Sequence, residues 1–453
     1  MASIIKGSPT KQFFIDMITR DISIEDAIMD LIDNSIDGAN RMRPNGDYDG
    51  LHITILVNEN SFSIEDNCGG FSLETAQEYA FRFGRPITAP MEENNSVGRF
   101  GIGMKRSLFK MGKHFVVETQ NKNDHFKVDI DVTEWRSRTK ILRDSAGFDQ
   151  MLDDWDFQCE TIMGDTLPFD GTRILITELN DEVRNLFAEE DFIDNIRKTV
   201  SRILYFSISK GISISVNGLT ILGKDIELLM SGDVKPYYEE GDRGGVHYRL
   251  IAGLGKVGEP KLSGWYIFCN DRLVVEADQT NLTGWGTGGI RQWHDEHVMF
   301  RGILFLNSAE TIKLPLTTTK KGIDATATLY QVMLVKMRNA MLQVIPFLSS
   351  ITKLKGDAND YRHSLEESLE RINVSYLKTY DFADYSQKKF VAPQIASRTW
   401  NKQFKTTRIS YDADTELVEK AKNASGVRSN KDLGLLTFNS YVKMQGIGNE
   451  ERK

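Results

Sequence analysis

Residues 23–40 read SIEDAIMDLIDNSIDGAN, and the rest of the chain is organised around them. Ile24, Ala27, Ile28, Leu31, Ile32, Ser35 and Ile36 recur at three- and four-residue steps, which draws an apolar stripe down one face of a helix. Asp26, Asp30, Asn34 and Asp37 fall on a neighbouring face. A four-residue step stacks Asp30 one turn from Asn34, so a carboxylate and an amide oxygen converge on one small volume suited to a hard cation or a water. Taken alone, the stretch fits a solvated acidic face equally well.

Two further stretches change the balance. Residues 61–72 read SFSIEDNCGGFS, an alternating strand that runs into an acidic turn with Asp66, Asn67, Gly69 and Gly70. Residues 96–105 read SVGRFGIGMK, with Gly98, Gly101 and Gly103 ahead of a predicted helix that carries Lys105 and Arg106. Glycines let the backbone come close to a phosphate, and the free N–H groups of a helix start favour anionic oxygen. In this order and spacing the three stretches resemble the Bergerat (GHKL) ATP-binding fold shared by gyrase, MutL, the ninety-kilodalton heat-shock chaperone, MORC proteins and histidine kinases. The resemblance covers residues 15–180.

What it implies can be placed residue by residue. Asn34 matches the asparagine that holds Mg²⁺ on the triphosphate, and Asp30 stands where many relatives have the glutamate that polarises the attacking water. Asp66 matches the carboxylate that accepts the adenine amino group, with Gly70 leaving room for the ring. Gly98, Gly101 and Gly103 match the lid over the phosphates, joined by Lys105 in stabilising their charge. Gly171 and Thr172 in DGTRILITEL match the pair that closes the nucleotide pocket on a later strand. Two positions depart from the common pattern: Asp30 is one methylene shorter than glutamate, and Cys68 replaces the first glycine of an Asp-x-Gly-x-Gly turn.

A chain of 453 residues is long enough for two or three domains, and 40% hydrophobic with 26% charged content is ordinary for a soluble protein. No apolar run is long enough to span a bilayer, and the opening MASIIKGSPTKQFF has no secretory pattern, so a cytoplasmic protein without membrane contact is expected. Cys68, Cys159 and Cys269 lack both disulfide and zinc spacing. Residues 388–453 carry six net positive charges against fourteen net negative charges on the rest, a pattern compatible with a nucleic-acid partner, docking on the acidic body or a merely soluble tail.

The expected fold class is α+β: a mixed sheet covered by helices in an ATP-binding domain at 1–185, then an α/β domain similar to a transducer at 186–355. A helical connector at 356–392 and a basic unit at 393–453 follow. In the second domain the strand-forming runs ISISVNGLTIL, VHYRLIAGL, SGWYIFCNDRLVVEAD and FRGILFLNS precede a long helix. The loop LPLTTTKKGID there places Lys320, or its neighbour Lys321, where relatives send a cation to the γ-phosphate. The glycine-rich GWGTGG at 284–289 reads as a flexible loop. The last unit has strand, helix and helix patterns resembling a ribbon-helix-helix, with Leu417, Val418, Ala421 and Ala424 inward and Lys405, Thr406, Arg408 and Ser410 on the strand. The resemblance implies a slow, Mg²⁺-dependent ATPase acting as a nucleotide-gated homodimer. Its client would be double-stranded DNA, alongside nuclease or helicase partners in defence against phage. The alternative is a chaperone-like or scaffold ATPase with a protein client.

Overall fold

Helix Ile24–Met42 forms where the apolar stripe predicts it. Ser23 caps it, its Oγ accepting from Asp26 N at 3.1 Å, and Glu25 and Asp26 place negative charge in the first turn, where the helix dipole favours it. The computed structural model describes residues 7, 9–83, 102–143, 149–164, 167–223, 226, 228–231, 234–256, 258–317, 322–353, 375–376, 388–393, 409–427 and 429–445. The chain divides into two compact units, residues 1–395 and residues 396–453.

Within the first unit, among the described residues, one mixed sheet has eight strands. Their spatial order is Leu219–Thr220, Ser213–Val216, His52–Asn58, Ser61–Asp66, Gly171–Leu179, Gly112–Gln120, His125–Asp131 and Cys159–Thr161. Neighbours run antiparallel except Ser213–Val216, which lies parallel to His52–Asn58. Alternate residues of the strands, such as Ile53, Ile55, Phe62, Ile64, Phe115 and Val117, share one core with helices Ile24–Met42, Gly103–Met111 and Glu190–Ile203. The sheet thus continues past the boundary expected at residue 185. Helix Glu190–Ile203 buries Ile193, Ile196 and Val200 in this core, and the chain after it adds Ser213–Val216 beside His52–Asn58. Residues 136–170 contain a separate hairpin, Thr139–Arg143 with Asp149–Asp153, and the edge strand Cys159–Thr161.

A second sheet has the order Tyr237–Arg243, Val246–Leu254, Phe300–Asn307, Gly264–Cys269 and Arg272–Asp278. Its three inner strands, Val246–Leu254, Phe300–Asn307 and Gly264–Cys269, are mostly apolar because both faces are covered. Trp265, Ile267, Leu304 and Leu306 pack with the long helix Thr328–Lys353, while Tyr266, Phe268, Ile303 and Phe305 pack with Tyr205 and Phe206 of helix Tyr205–Ser209. The glycine-rich 284–289 loop is not loose. Trp285 is buried in the second core, and Arg338 Nη2 donates to Thr287 Oγ1 at 2.8 Å. Of the expected connector, Ser375–Tyr376 pairs as a short strand with Leu229–Met230, so Tyr376 is not on a helix. Among the described residues no helix is long and apolar enough to cross a membrane.

The second unit contains helices Thr415–Ser425 and Asn430–Met444, capped by Asp414 and Ser429, with Gly426 left-handed at the first C-terminus. Residues 409–414 are not in a strand, and Lys405, Thr406 and Arg408 lie outside the described residues. Leu417 and Ala424, expected inward, are exposed, with Leu417 at 65%, while Val418 and Ala421 are half-buried. Two short helices offer too little surface to enclose a full stripe.

An aromatic cluster of Phe14, Phe83, Phe109, Trp135, Trp155 and Phe157 sits beside the start of helix Gly103–Met111, with Trp135 and Phe157 stacked at 5.3 Å. Helix Lys11–Arg20 packs on this cluster. Lys11 Nζ donates to Arg138 O at 2.7 Å and lies 4.6 Å from the Trp135 ring, while Phe13 and Met17 stay exposed. Lys105 is drawn to the same cluster. It is 2% exposed, donates to Ala80 O at 2.7 Å, and lies 5.8 Å from the Phe83 ring. Burial lowers its ammonium from the usual 10.5 to about 7. Between those values the unfolded chain keeps a proton that the folded lysine releases, so the penalty for burying Lys105 is least above pH 10.5 and grows as the pH falls to 7. Denaturant melts of wild type and Lys105→Met should therefore diverge on acidification, wild type losing up to about 1.4 kcal/mol per pH unit relative to the variant across this window. A pH-independent difference would show that the lysine stays charged.

Candidate active site

Residues 27–39 of helix Ile24–Met42 are buried with one exception, Asn34, which is exposed. An amide that reaches open space from a buried stretch is out of place in a packing helix and in place in a ligand site. One turn away Asp30 is 4% exposed. The guanidinium of Arg106 meets it, with Nε at 2.8 Å and Nη2 at 2.5 Å from Asp30 Oδ2. Gly103, which opens helix Gly103–Met111, lies so near that a Cβ added there would be 3.6 Å from Asp30 Oδ2. The first and third sequence stretches therefore meet at Asp30.

The second stretch meets the helix one residue beyond Asn34. Ser35 Oγ donates to Asp66 Oδ2 at 2.6 Å, and Cys68 N donates to Asp66 Oδ1 at 2.9 Å. Burial raises the Asp66 carboxyl above its ordinary range, opposed by the hydrogen bonds from Ser35, Cys68 and the Thr172 backbone and by the Arg41 charge. The helix and the turn approach closely because residue 38 is glycine. A Cβ there would lie 2.6 Å from Cys68 O. Gly70, with φ of 57°, allows a second close approach, since a Cβ on it would lie 2.2 Å from Gln120 O and 2.9 Å from Gly171 O. Thr172 stands opposite Asp66 in the strand register, its Oγ1 3.3 Å from Thr119 Oγ1. Thr119, fully buried, also accepts from Phe71 N at 3.1 Å and so staples the end of the turn.

Asp30, Asn34, Asp66, Gly70, Gly103 and Thr172 thus gather where helix, turn and two strands converge. Lys105 donates to Ala80 O, and among the described residues Arg106 is the basic side chain of that helix that reaches Asp30. Gly98, Gly101, Lys320 and Lys321 lie outside the described residues. The other helix acids are engaged: Asp26 accepts from Ser23 Oγ at 2.7 Å, and Asp33 is ion-paired with Arg272 of the second sheet. Ser35, Gly38, Thr119, Arg106 and Arg272 are contributors that sequence reasoning missed. Ser35 carried a usable signal, a hydroxyl on an otherwise apolar stripe.

The donor set suits a magnesium nucleotide. Asn34 offers a hard amide oxygen at the surface, and Mg²⁺ commonly takes few protein ligands beside phosphate oxygens. Asp66 presents a buried acceptor whose donors, Ser35, Cys68 and the Thr172 backbone, leave a further lone pair. No curated protein matches the chain. Residues 22–153 match the family model described as histidine kinase-, DNA gyrase B- and HSP90-like ATPase. That stretch, similar to a GHKL-type ATPase domain, supports ATP binding and hydrolysis by this chain.

Proposed function

We propose that the chain is a Mg²⁺-dependent ATPase whose site is built on helix Ile24–Met42, and the observation that carries this is the lone exposure of Asn34 one turn from Asp30. When bound, Mg²⁺ supplies charge neutralisation on the triphosphate. Asn34 offers it an oxygen, and the cation offsets the repulsion among the phosphate charges at the site. Asp66 takes the adenine amino group through its remaining acceptor capacity, with Gly70 and Thr172 shaping the pocket wall. Asp30 orients and deprotonates the attacking water, and Arg106 holds that carboxylate in place. Gly98, Gly101 and Gly103 close over the phosphates, and Lys320 reports the γ-phosphate to the second sheet.

In the fuller proposal ATP closes a homodimer on double-stranded DNA, in defence against phage beside a nuclease or helicase. Six net positive charges in residues 388–453 favour DNA. Exposed Leu417, Leu435, Phe438 and Tyr441 on the C-terminal helices favour the second reading, a protein client.

Asn34→Ala should abolish binding of Mg-ATP in calorimetric titration, and retained tight binding would reject the site. Asp30→Asn should leave binding within about threefold while cutting kcat at least about a hundredfold; unchanged hydrolysis would remove Asp30 from the mechanism. Mass and turnover measured with a non-hydrolysable analogue, with and without DNA across a salt series, separate the clients. Salt-sensitive, DNA-stimulated turnover is expected for a DNA clamp.

A further inference from the structure

The tight turn of the second sheet bears directly on the nucleotide helix. Strands Gly264–Cys269 and Arg272–Asp278 are joined by Asn270 and Asp271, with φ of 46° and 63°, the geometry of a two-residue hairpin. Asn270 is locked to the sheet's central strand. Its Nδ2 donates to Ser308 O at 3.1 Å, its Oδ1 accepts from Ser308 N at 2.9 Å, and its backbone N reaches Leu306 O at 3.0 Å. Arg272, the residue that closes this turn, sends its guanidinium into helix Ile24–Met42 and pairs with Asp33. Both side chains are buried, at 7% and 1% exposure. Beside them Lys210 Nζ meets Asp271 at 2.5 Å and lies 5.3 Å from the Tyr48 ring, whose hydroxyl bonds Asn40 of the same helix.

Asp33 precedes Asn34 by one residue and follows Asp30 by three, so a pull on it turns both of them about the helix axis. Side-chain tips lie about 5–6 Å from that axis, so a rotation of about 10° moves them by about 1 Å. A displacement of that size at a reacting group is enough to cost a large factor in rate. Other contacts between the second sheet and the first part of the chain, such as Arg202 with Glu276 at 3.2 Å and Phe206 with Phe268 at 4.6 Å, fall on different helices.

We infer that Arg272 is a positioning residue for the ATP site: through Asp33 it sets the rotation of helix Ile24–Met42, and with it the placement of Asp30 and Asn34, according to the position of the second sheet. This rests on the ATP reading of that site. Arg272 touches no reacting atom, so its effect runs through the placement of Asp30, read in kcat, and to a smaller degree through that of Asn34, read in Mg-nucleotide affinity.

The test uses the full chain as wild type, Arg272→Met, Arg272→Lys, Asp33→Asn and the double variant Asp33→Asn/Arg272→Met. Arg272→Met should lower kcat about tenfold or more, and weaken affinity for Mg²⁺ with a non-hydrolysable ATP analogue by a clearly smaller factor. Added to Asp33→Asn, it should cost no more than about a further twofold, because the two act as one unit, and Arg272→Lys should recover part of the loss. A cooperatively melting Arg272→Met at wild-type kcat, or losses that multiply in the double variant, would overturn the inference. Removing one partner leaves a buried charge, so if Arg272→Met does not fold, the double variant decides, and wild-type kcat there rejects the role. A wild-type chain that binds no analogue rejects the ATP reading itself. Hydrogen exchange along helix Ile24–Met42 then judges the grip alone, faster exchange in Arg272→Lys supporting it and unchanged exchange refuting it.

Discussion

Four carboxylates, Asp30, Asp33, Asp37 and Asp66, are buried around one helix, and the need to compensate them shapes the structure. An ionised carboxylate removed from water costs several kcal/mol unless charge or hydrogen bonds replace the lost hydration. Three of the solutions arrive from different parts of the chain. Arg106 comes from the helix after the glycine-rich stretch, Ser35 binds the strand-end turn, and Arg272 comes from the second sheet. The helix is consequently held at points that respond to different events, and Asn34 is the residue of its middle turns left facing solvent.

The two glycine approaches serve the same end. Gly38 and Gly70 bring backbone against backbone at positions where any side chain would intrude on a carbonyl oxygen. The Asp66 turn is wedged between helix and sheet, so its carboxylate has a defined direction before any ligand arrives. Cys68, in place of a glycine, fits because it is buried, and its carbonyl and Cβ face the free space that Gly38 leaves. Burial pushes its thiol well up, so it packs as a small apolar side chain, not as a nucleophile.

How much of this was legible in the sequence follows the distance over which each feature is encoded. The Asp30 and Asn34 pair and the Asp66 turn depend on neighbours a few residues away, and local pattern exposes them. Ser35 was read as part of the apolar stripe because its partner lies 31 residues on. Arg272 was invisible, since Asp33 is 239 residues away and a lone arginine after an Asn-Asp turn resembles any surface hairpin. Lys105 sits where a phosphate-binding cation was expected, yet the aromatic cluster offers its stem an apolar bed and the Ala80 carbonyl offers its head a partner. The run of the sheet past residue 185 escapes local reading for a related reason. The change of pattern after residue 182 marks a change from strands to helices, whereas membership of a sheet is settled by pairing, which local pattern does not encode.

That pairing has a consequence for how the protein is made. Asn217 clasps Val57 with both halves of its amide, Oδ1 accepting from Val57 N at 2.8 Å and Nδ2 donating to Val57 O at 3.0 Å, across 160 residues. On the ribosome, strand His52–Asn58 emerges long before Ser213–Val216, and until the later strand arrives it presents an unpaired apolar edge. The sheet is therefore completed only after a further 160 residues have been made, and over that interval the strand edge stays open to other partners.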